Sequence, residues 1–202
     1  RFAMKTDLKG LKVKSYLNKI IEGPILIAPK IFNDKRGFFY ESFNQEKFNR
    51  LIGKEVHFKQ DNHSKSTLGV LRGLHFQLAP FDQGKLVRCT NGCIFDVGVD
   101  LRKQSQTFKS WFGYKLNAQN NYQLWIPSGF AHGFLTLSDI AEVQYKTTNY
   151  WNKDSEISLK YNDKEVSIKW PKIKLKNGPF LSEKDNNADS LENLIKYNTL
   201  FE

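Results

Sequence analysis

The sequence contains no run of 18 apolar residues, so it predicts no membrane-spanning helix and no membrane partner. Its first residues, Arg1-Phe2-Ala3-Met4, also lack the apolar stretch of a secretory signal peptide. We therefore expect a cytoplasmic protein. Met4 is the only methionine in the chain, and we interpret residues 1–3 as an artificial remnant in front of the natural start.

Cysteine is almost as scarce, because Cys89 and Cys93 are the only two. In a chain without a secretion signal, a lone pair of cysteines is more often two free, buried thiols than a disulfide. We expect two free thiols.

Acidic residues are also in short supply: 21 Asp and Glu stand against 31 Lys and Arg, which gives a formal net charge of +10. Such an excess favours an anionic partner, which can be a nucleic acid, an acidic surface or a phosphorylated small molecule. Charge alone does not choose among them. Many of the lysines lie near the two ends of the chain, a pattern typical of a solvated surface.

Hydrophobic residues make up 40% of the sequence, which is enough to form one sizeable buried core. We expect a single domain over residues 1–202, with residues 186–202 as a C-terminal extension. Short apolar segments separated by turn residues predict an all-β sandwich or barrel. The predicted strands cover residues 68–77, 85–89, 93–99, 109–116, 123–126, 133–137 and 141–150.

Local signals predict one hairpin and two short helices. Asn91-Gly92 tolerates positive φ and therefore predicts a tight hairpin between the strands at 85–89 and 93–99. Asn44 is a suitable N-cap for a helix that Gly53 would end, and apolar spacing after Leu191 predicts a short closing helix.

Two of the four histidines lie in unusual settings. His132 ends the segment 127–132, which has the Pro-x-Gly-x-x-His spacing of the second cupin motif. Many cupins bind a metal with a His-x-His pair, a Glu and a later His, but the corresponding segment here reads His75-Phe76-Gln77 and lacks one ligand. His63, His75 and His132 can still supply three ligands if they converge in space, so a metal site stays an alternative.

Without a metal, a histidine with the ordinary pKa of about 6.5 is suited to proton transfer at neutral pH. This is the interpretation we favour for His75. The alternative for any single histidine is a hydrogen-bonded core or surface residue.

Two more side chains on predicted strands can take part in such chemistry. Strict alternation places Tyr145 on the same face as Val143, where a buried phenol can act as a general acid or simply belong to the core. Lys85 shares the face of Val87, and a lysine there needs a partner or an anionic ligand unless its charged end reaches water.

Further motifs complete a pattern, from about Gly23 to Asp185, that resembles the dTDP-4-dehydrorhamnose 3,5-epimerase family, whose members have the cupin fold. The motifs occur in one order and are Asp34-Lys35-Arg36-Gly37-Phe38-Phe39, Glu41-Ser42-Phe43, Gln60-Asp61-Asn62-His63-Ser64, Leu71-Arg72-Gly73-Leu74-His75, Gln83-Gly84-Lys85-Leu86-Val87-Arg88, Trp125-Ile126-Pro127, Gly129-Phe130-Ala131-His132-Gly133-Phe134, Tyr145-Lys146-Thr147-Thr148 and Leu181-Ser182-Glu183-Lys184-Asp185.

The resemblance implies an all-β double-stranded β-helix of the cupin type with a few short peripheral helices. It also implies a catalytic set that works without metal or cofactor. His75 corresponds to the family's base, Asp185 to the carboxylate that orients it, Tyr145 to the general acid, and Lys85 to the lysine that stabilises an enolate oxygen.

The family's substrate contacts fall on ten further residues, of which Phe39 would face the thymine. They are Arg36, Phe39, Glu41, Gln60, Asp61, Asn62, Arg72, His132, Glu156 and Lys184. The last two rest on local motifs only, because the segment after Trp151 varies in length. The resemblance further implies a homodimer in which Arg36 and Glu41 reach the neighbour's site.

The implied activity is inversion of C3 and C5 in dTDP-4-dehydro-6-deoxy-D-glucose, with no nucleic-acid partner. One alternative is a narrower enzyme, which inverts C3 alone or isomerises the ketone. Another is a non-enzymatic cupin module that binds sugar or nucleic acid. That alternative leaves His75, Lys85, Tyr145 and Asp185 without a joint purpose.

Overall fold

Two β-sheets packed face to face form the framework of the computed structural model, which describes residues 8–173 and 178–202. The strands are β1 (Leu8–Lys14), β2 (Ile20–Pro29), β3 (Phe32–Asp34), β4 (Gly37–Phe39), β5 (Gln60–Thr67), β6 (Leu71–Gln77), β7 (Lys85–Asn91), β8 (Cys93–Asp100), β9 (Trp111–Asn117), β10 (Gln123–Ile126), β11 (Phe130–Thr136), β12 (Ile140–Thr147) and β13 (Glu156–Ser158). The helices are α1 (Gln45–Ile52), α2 (Glu183–Asn186) and α3 (Leu191–Lys196), with a 3-10 turn at Lys153–Ser155.

The six-stranded sheet has the order β1-β2-β10-β7-β12-β5, and the five-stranded sheet has the order β13-β6-β11-β8-β9. From β5 to β8, and again from β9 to β13, each strand lies in the sheet opposite to its predecessor. Buried side chains from both sheets, such as Val87 and Ile94, share one core cluster between them. The prediction of an all-β double-stranded β-helix is confirmed.

The predicted hairpin at Asn91-Gly92 is wrong, although the turn itself exists. Gly92 has a φ of 73°, as expected, but β7 pairs with β10 and β12 while β8 pairs with β9 and β11. The turn is therefore a corner between the two sheets. A side chain at Gly92 would meet the carbonyl oxygen of Ile140 at 2.0 Å, so the close approach of β12 requires glycine here.

The other predicted strands exist, with different ends. Residues 123–126 match β10, whereas β11 begins three residues before residue 133 and β12 ends three residues before residue 150. The sequence did not predict β1 to β5 or β13. The strand β5 has no apolar residue at all, because it lies at the edge of its sheet, and apolar periodicity therefore could not reveal it.

Both predicted helices are confirmed. The side chain of Asn44 accepts a hydrogen bond from the Lys47 amide at 3.0 Å, and Gly53 ends α1 with a φ of 71°. Phe48 of α1 packs edge-on against Trp125 at a centroid distance of 5.2 Å. The closing helix is α3, whereas α2 was not predicted.

A second core cluster covers the outer face of the five-stranded sheet. Leu74 and Phe76 of β6 pack there against the C-terminal residues Leu191, Leu194 and Leu200. The expected extension is therefore part of the core, and α2 and α3 are held close to β6. The described residues contain no helix that is long and apolar enough to cross a membrane.

Both cysteines are free thiols, as expected; Cys89 is buried and Cys93 half-buried. Residues 1–3 and Met4, where we placed the remnant and the natural start, lie outside the described residues. That the chain forms a single domain stays a prediction.

Candidate active site

A cavity of about 400 Å³ opens between the two sheets. The four residues expected to carry catalysis, His75, Lys85, Tyr145 and Asp185, all line it. The wall also includes Arg72 and His132, which were predicted as substrate contacts, and Ser64, Val70, Leu71, Phe134, Phe180, Leu181 and Ser182.

The position of His75 depends on a close contact between β6 and β11. Gly73 has a φ of 120°, and a side chain on it would lie 2.7 Å from the Gly133 Cα. Only glycine permits this approach without strain. Two residues further along β6, His75 lies directly opposite His132 in the register of the two strands.

His75 forms a pair with Asp185 from α2. Its Nε2 lies 2.5 Å from Asp185 Oδ1, and the other carboxylate oxygen accepts a hydrogen bond from the Gly73 amide at 3.3 Å. The Asp185 amide in turn donates to the Oγ of Ser182, the N-cap of α2, at 3.1 Å. A carboxylate in this position fixes the imidazole tautomer and stabilises the imidazolium.

The electrostatics of Asp185 suit this role. Burial alone would raise the pKa of its carboxyl, but the hydrogen bond and charge of His75 and the Gly73 amide outweigh burial and lower that pKa. Asp185 is therefore an anion at neutral pH.

A second histidine–carboxylate pair lies beside the first. His132 Nε2 is 2.7 Å from the Oδ1 of Asp96, a fully buried residue of β8. The other oxygen, Asp96 Oδ2, has no hydrogen-bond partner among the described residues. Such an atom is costly to bury and is suited to receive a donor from a ligand.

Lys85 projects from β7 into the cavity, as the alternation with Val87 predicted. Its Nζ donates to the carbonyl oxygen of His75 at 3.5 Å. Burial lowers the pKa of Lys85 to about 8, against the opposing charges of Glu156 and Asp96. The side chain is thus an ammonium at neutral pH that is ready to meet a developing negative charge.

Tyr145 enters the cavity from β12, which lies in the six-stranded sheet, whereas His75 belongs to the five-stranded sheet. The alternation in this strand agrees with the sequence, since Val143 and Thr147 are each 1% exposed on the same face. Burial, reinforced by the charge of Glu156, raises the pKa of the Tyr145 phenol. The phenol therefore keeps its proton at neutral pH and can donate it.

Glu156 and Lys184 form an ion pair of 2.5 Å near the cavity. Trp151 Nε1 donates to the same carboxylate at 3.1 Å. Burial would raise the pKa of Glu156, but the hydrogen bonds from Lys184 and Trp151 lower it. The two residues that the sequence placed least firmly therefore do meet, although neither lines the cavity itself.

The predicted contacts on β5 divide between the two faces of that strand. Gln60 Nε2 donates to Asn62 Oδ1 at 2.9 Å on one face, and Asp61 pairs with Lys146 at 3.0 Å on the other. Asp61 and Asn62 line a separate cavity of about 360 Å³. Arg72 donates to Ser66 Oγ at 3.0 Å and spans from β6 to the edge of β5.

Three more predicted contacts, on or just after the β3–β4 hairpin, also do not line the cavity. Arg36 is paired with Asp34 at the turn of the β3–β4 hairpin, Phe39 is 72% exposed, and Glu41 is 2.6 Å from Lys47. Within one chain, the structure does not bring Arg36, Phe39 or Glu41 to His75.

The comparisons with known proteins identify the family of this chain. A family model described as dTDP-4-dehydrorhamnose 3,5-epimerase matches residues 18–193. The chain belongs to this family. The dTDP-4-dehydrorhamnose 3,5-epimerase of Escherichia coli K12 is 53% identical over 176 residues, which cover 87% of this chain and 94% of that protein.

Solved structures of this epimerase family have the same fold. The dTDP-6-deoxy-D-glucose-3,5-epimerase of Legionella pneumophila, in complex with dTDP-4-keto-L-rhamnose, superposes with a TM-score of 0.85 at 44% identity, covering 96% of this chain and 97% of that one. ChmJ of Streptomyces bikiniensis, a 3'-monoepimerase in complex with dTDP-quinovose, superposes with a TM-score of 0.82 at 32% identity, covering 89% of each chain.

The three histidines considered as metal ligands do not converge. His63 pairs with Glu142 at 2.9 Å, and its side chain is 51% exposed, whereas His75 and His132 each pair with a carboxylate in the cavity. Within residues 8–173 and 178–202, no three His, Cys, Asp or Glu residues are grouped in a way that could hold a metal ion.

The sequence reasoning missed Asp96 and Ser64. Asp96 interrupts the otherwise apolar segment Cys93-Ile94-Phe95-Asp96-Val97. A carboxylate among residues that face inward could have marked Asp96 as a candidate site residue. Ser64 belongs to the motif Gln60-Asp61-Asn62-His63-Ser64, but no local pattern predicts that it lines a cavity. Its hydroxyl is buried without a partner among the described residues.

Proposed function

We propose that this member of the epimerase family inverts both C3 and C5 of dTDP-4-dehydro-6-deoxy-D-glucose and produces dTDP-4-dehydro-L-rhamnose. In a 4-keto sugar, both carbons flank the carbonyl, and each carries a proton made acidic by enolate formation. The observation that carries the proposal is the His75–Asp185 pair, which faces the same cavity as Lys85 and Tyr145.

His75 acts as the base in this proposal. Because Nε2 is bound to Asp185, the free ring nitrogen is Nδ1, which accepts the proton from carbon. The electron pair of the broken C–H bond becomes the C=C bond of the sugar enolate. The π electrons of the carbonyl move to its oxygen, which gains the negative charge. The imidazolium that results is stabilised by Asp185.

Lys85 lies where it can stabilise the enolate oxygen. A preorganised donor of this kind contributes about 3 to 4 kcal/mol by analogy with one oxyanion-hole donor. Tyr145 then delivers a proton to the carbon from the sheet opposite to His75, which inverts the centre. Once the imidazolium has released its proton to water and the Tyr145 phenolate has regained one, the same three groups act at the second carbon.

Substrate binding uses residues outside this set. Arg72 and Lys184 supply the positive charge that a diphosphate requires, and no glycine-rich loop is needed. Phe39 would face the thymine, as the family resemblance implies. His132, held by Asp96, would contact the sugar from a fixed direction.

Arg36, Phe39 and Glu41 fit the proposal only in a homodimer. Arg36 lies in the turn of the β3–β4 hairpin, Phe39 ends β4, and Glu41 follows it. Phe32 and Phe38 of the same hairpin are 49% and 61% exposed. A neighbouring chain that receives this hairpin would bury the apolar side chains and add Arg36 and Glu41 to the site. Analytical ultracentrifugation of wild type and Phe38→Asp tests this pairing.

The likeness to a 3'-monoepimerase supports a second candidate, inversion of C3 alone. Incorporation of deuterium from D₂O into dTDP-4-dehydro-6-deoxyglucose separates the two. Deuterium at C3 and C5 supports double epimerisation, and deuterium at C3 alone supports the second candidate. No incorporation would contradict both and favour a sugar-binding module.

A further inference from the structure

A buried carboxylate outside the active site lies where the C-terminal segment meets the rest of the chain. Asp163 is 7% exposed, and its Oδ1 accepts hydrogen bonds from the amides of Glu165 at 2.9 Å and Val166 at 3.0 Å. Its Oδ2 accepts a hydrogen bond from the amide of Leu191 at 2.8 Å. Asp163 therefore ties its own turn to the first residue of α3.

The segment between Asp185 and Leu191 is short and is also tied to β13. The Asp189 amide donates to the Ser158 carbonyl at 3.1 Å, and the Lys160 amide donates to the Asp189 carbonyl at 2.8 Å. Ser158 lies directly opposite His75 in the pairing of β13 with β6. The chain that carries Asp185 is thus anchored to the strand that borders His75.

The helix α2 cannot fix Asp185 by itself, because a helix of four residues has no stability of its own. Its position must come from what holds its two ends. The N-terminal end is held at Phe180, which exchanges backbone hydrogen bonds with Gly69 and Leu71 at 2.9 and 3.0 Å. The C-terminal end is held by Asp189 and, beyond it, by Asp163.

We propose that Asp163 is a positioning residue for the His75–Asp185 pair. It fixes the C-terminal end of the segment that carries Asp185 and so sets the distance between the carboxylate and the imidazole. A displacement of about 1 Å at a reacting group can cost about 10²-fold in rate. The kinetic part of this proposal rests on the proposed epimerase function, and the geometric part does not.

The test compares Asp163→Ala with a control that loses stability elsewhere. Ile21→Ala removes a side chain that is 1% exposed in the core between the sheets, which creates a cavity without touching the supports of Asp185. Asp163→Asn is a milder companion, because its amide keeps one acceptor oxygen; it carries the test if the alanine variant does not fold. Thermal unfolding midpoints show which variants are matched in stability.

The positioning role predicts a fall in kcat of about 10- to 100-fold for Asp163→Ala, with KM changed by less than about twofold. The control keeps its kcat at a matched unfolding midpoint. In the double variant with Asp185→Asn, the Asp163 substitution costs nothing further, because both act through one contact. Losses that multiply, or a kcat equal to that of the control, would overturn the proposal.

Proton NMR provides a readout that needs no substrate. The proton of the His75–Asp185 hydrogen bond gives a downfield resonance, which is assigned by its loss in Asp185→Asn. We expect this resonance to shift or disappear in Asp163→Ala and to persist in Ile21→Ala. An unchanged resonance in Asp163→Ala overturns the positioning role, whereas an inactive wild type with the expected NMR changes would refute only the proposed function.

Discussion

The two histidine–carboxylate pairs of the cavity have the same chemistry and different surroundings. The side chains of His75 and Asp185 are 25% and 4% exposed, whereas those of His132 and Asp96 are 8% and 0% exposed. The histidines face each other across neighbouring strands, yet only the first has substantial access to solvent.

Under the proposed function, the difference in access suits the two pairs to different roles. A base must exchange its proton with water between turnovers, and the partly exposed imidazole of His75 can do so. The imidazole of His132 is enclosed and held by a carboxylate from its own sheet, so it is better suited to a fixed hydrogen bond. The origin of each carboxylate differs as well, since Asp96 comes from an adjacent strand and Asp185 from a helix 110 residues away from its partner.

The strongest test of this comparison replaces each histidine in turn. His75→Asn should slow deuterium exchange at both carbons by about 10³-fold, within the range for a lost general base. His132→Asn should cost about tenfold and act mainly on KM, because it removes a contact to the sugar. Mass spectrometry of the recovered sugar measures both. Equal losses in the two variants would erase the distinction between the pairs.

Lys85 is linked to both pairs, through the carbonyl of His75 and through the charge of Asp96. Lys85→Met should lower kcat by about 10²-fold or more, as expected for the loss of an oxyanion donor. Because burial places the pKa of Lys85 at about 8, wild-type kcat should fall as pH rises through that value and the ammonium is lost. Steady-state kinetics from pH 6 to 10 measure this, with exposed Lys115 changed to Met as the control. A flat profile above pH 8 would remove Lys85 from the mechanism.

Tyr145 faces the first pair from the other sheet and tests whether proton removal and proton delivery are separate. Tyr145→Phe should reduce product formation by about 10²-fold while deuterium still enters the substrate. NMR in D₂O follows both processes in one sample. Tyr114→Phe is the matched control, since Tyr114 packs against the same core. If exchange and product formation fall together, Tyr145 is not the acid.

A smaller effect is expected on stability at acid pH. The pKa of Asp185 is lowered in the folded protein, so its contribution to stability is present above the unfolded-state pKa of about 3.9 and is lost as pH falls through the lower folded-state value. The difference in unfolding free energy between wild type and Asp185→Asn should therefore shrink below about pH 4. Urea unfolding at pH 7 and pH 3 measures it. A difference that grows on acidification would mean that the sign of the shift is wrong.

No effect at all is expected from removal of divalent metal. Both cavity histidines are already paired with carboxylates, and the proposed mechanism needs no Lewis acid. Dialysis against a chelator should leave kcat unchanged, and added Zn²⁺ or Mn²⁺ should not raise it. A chelator-sensitive enzyme would restore the three-histidine site as a candidate.

The sequence predicted most reliably where the signal is local. The cap residues Asn44 and Gly53 define α1 because each acts on its own turn, and alternation placed Tyr145 and Lys85 on inward faces. Asn91-Gly92 shows the limit of such reasoning. The dipeptide specifies a sharp turn, but only the partners of the flanking strands decide whether that turn closes a hairpin or changes sheets.

The site was predictable through the family resemblance but not from local patterns in the sequence. Asp185 was placed beside His75 through the family resemblance alone, since no local rule joins residues so distant in sequence. Asp96 was missed because its partner lies on another strand, and strand order is set by long-range packing. Arg36, Phe39 and Glu41 lie apart from the cavity in one chain, and their role stays a prediction.

The long separation of His75 from Asp185 also bears on when the protein gains its chemistry. During synthesis, the strand that carries the base leaves the ribosome more than a hundred residues before the carboxylate that orients it. Until residues 183–186 have been made and α2 lies beside β6, the imidazole of His75 lacks its carboxylate partner.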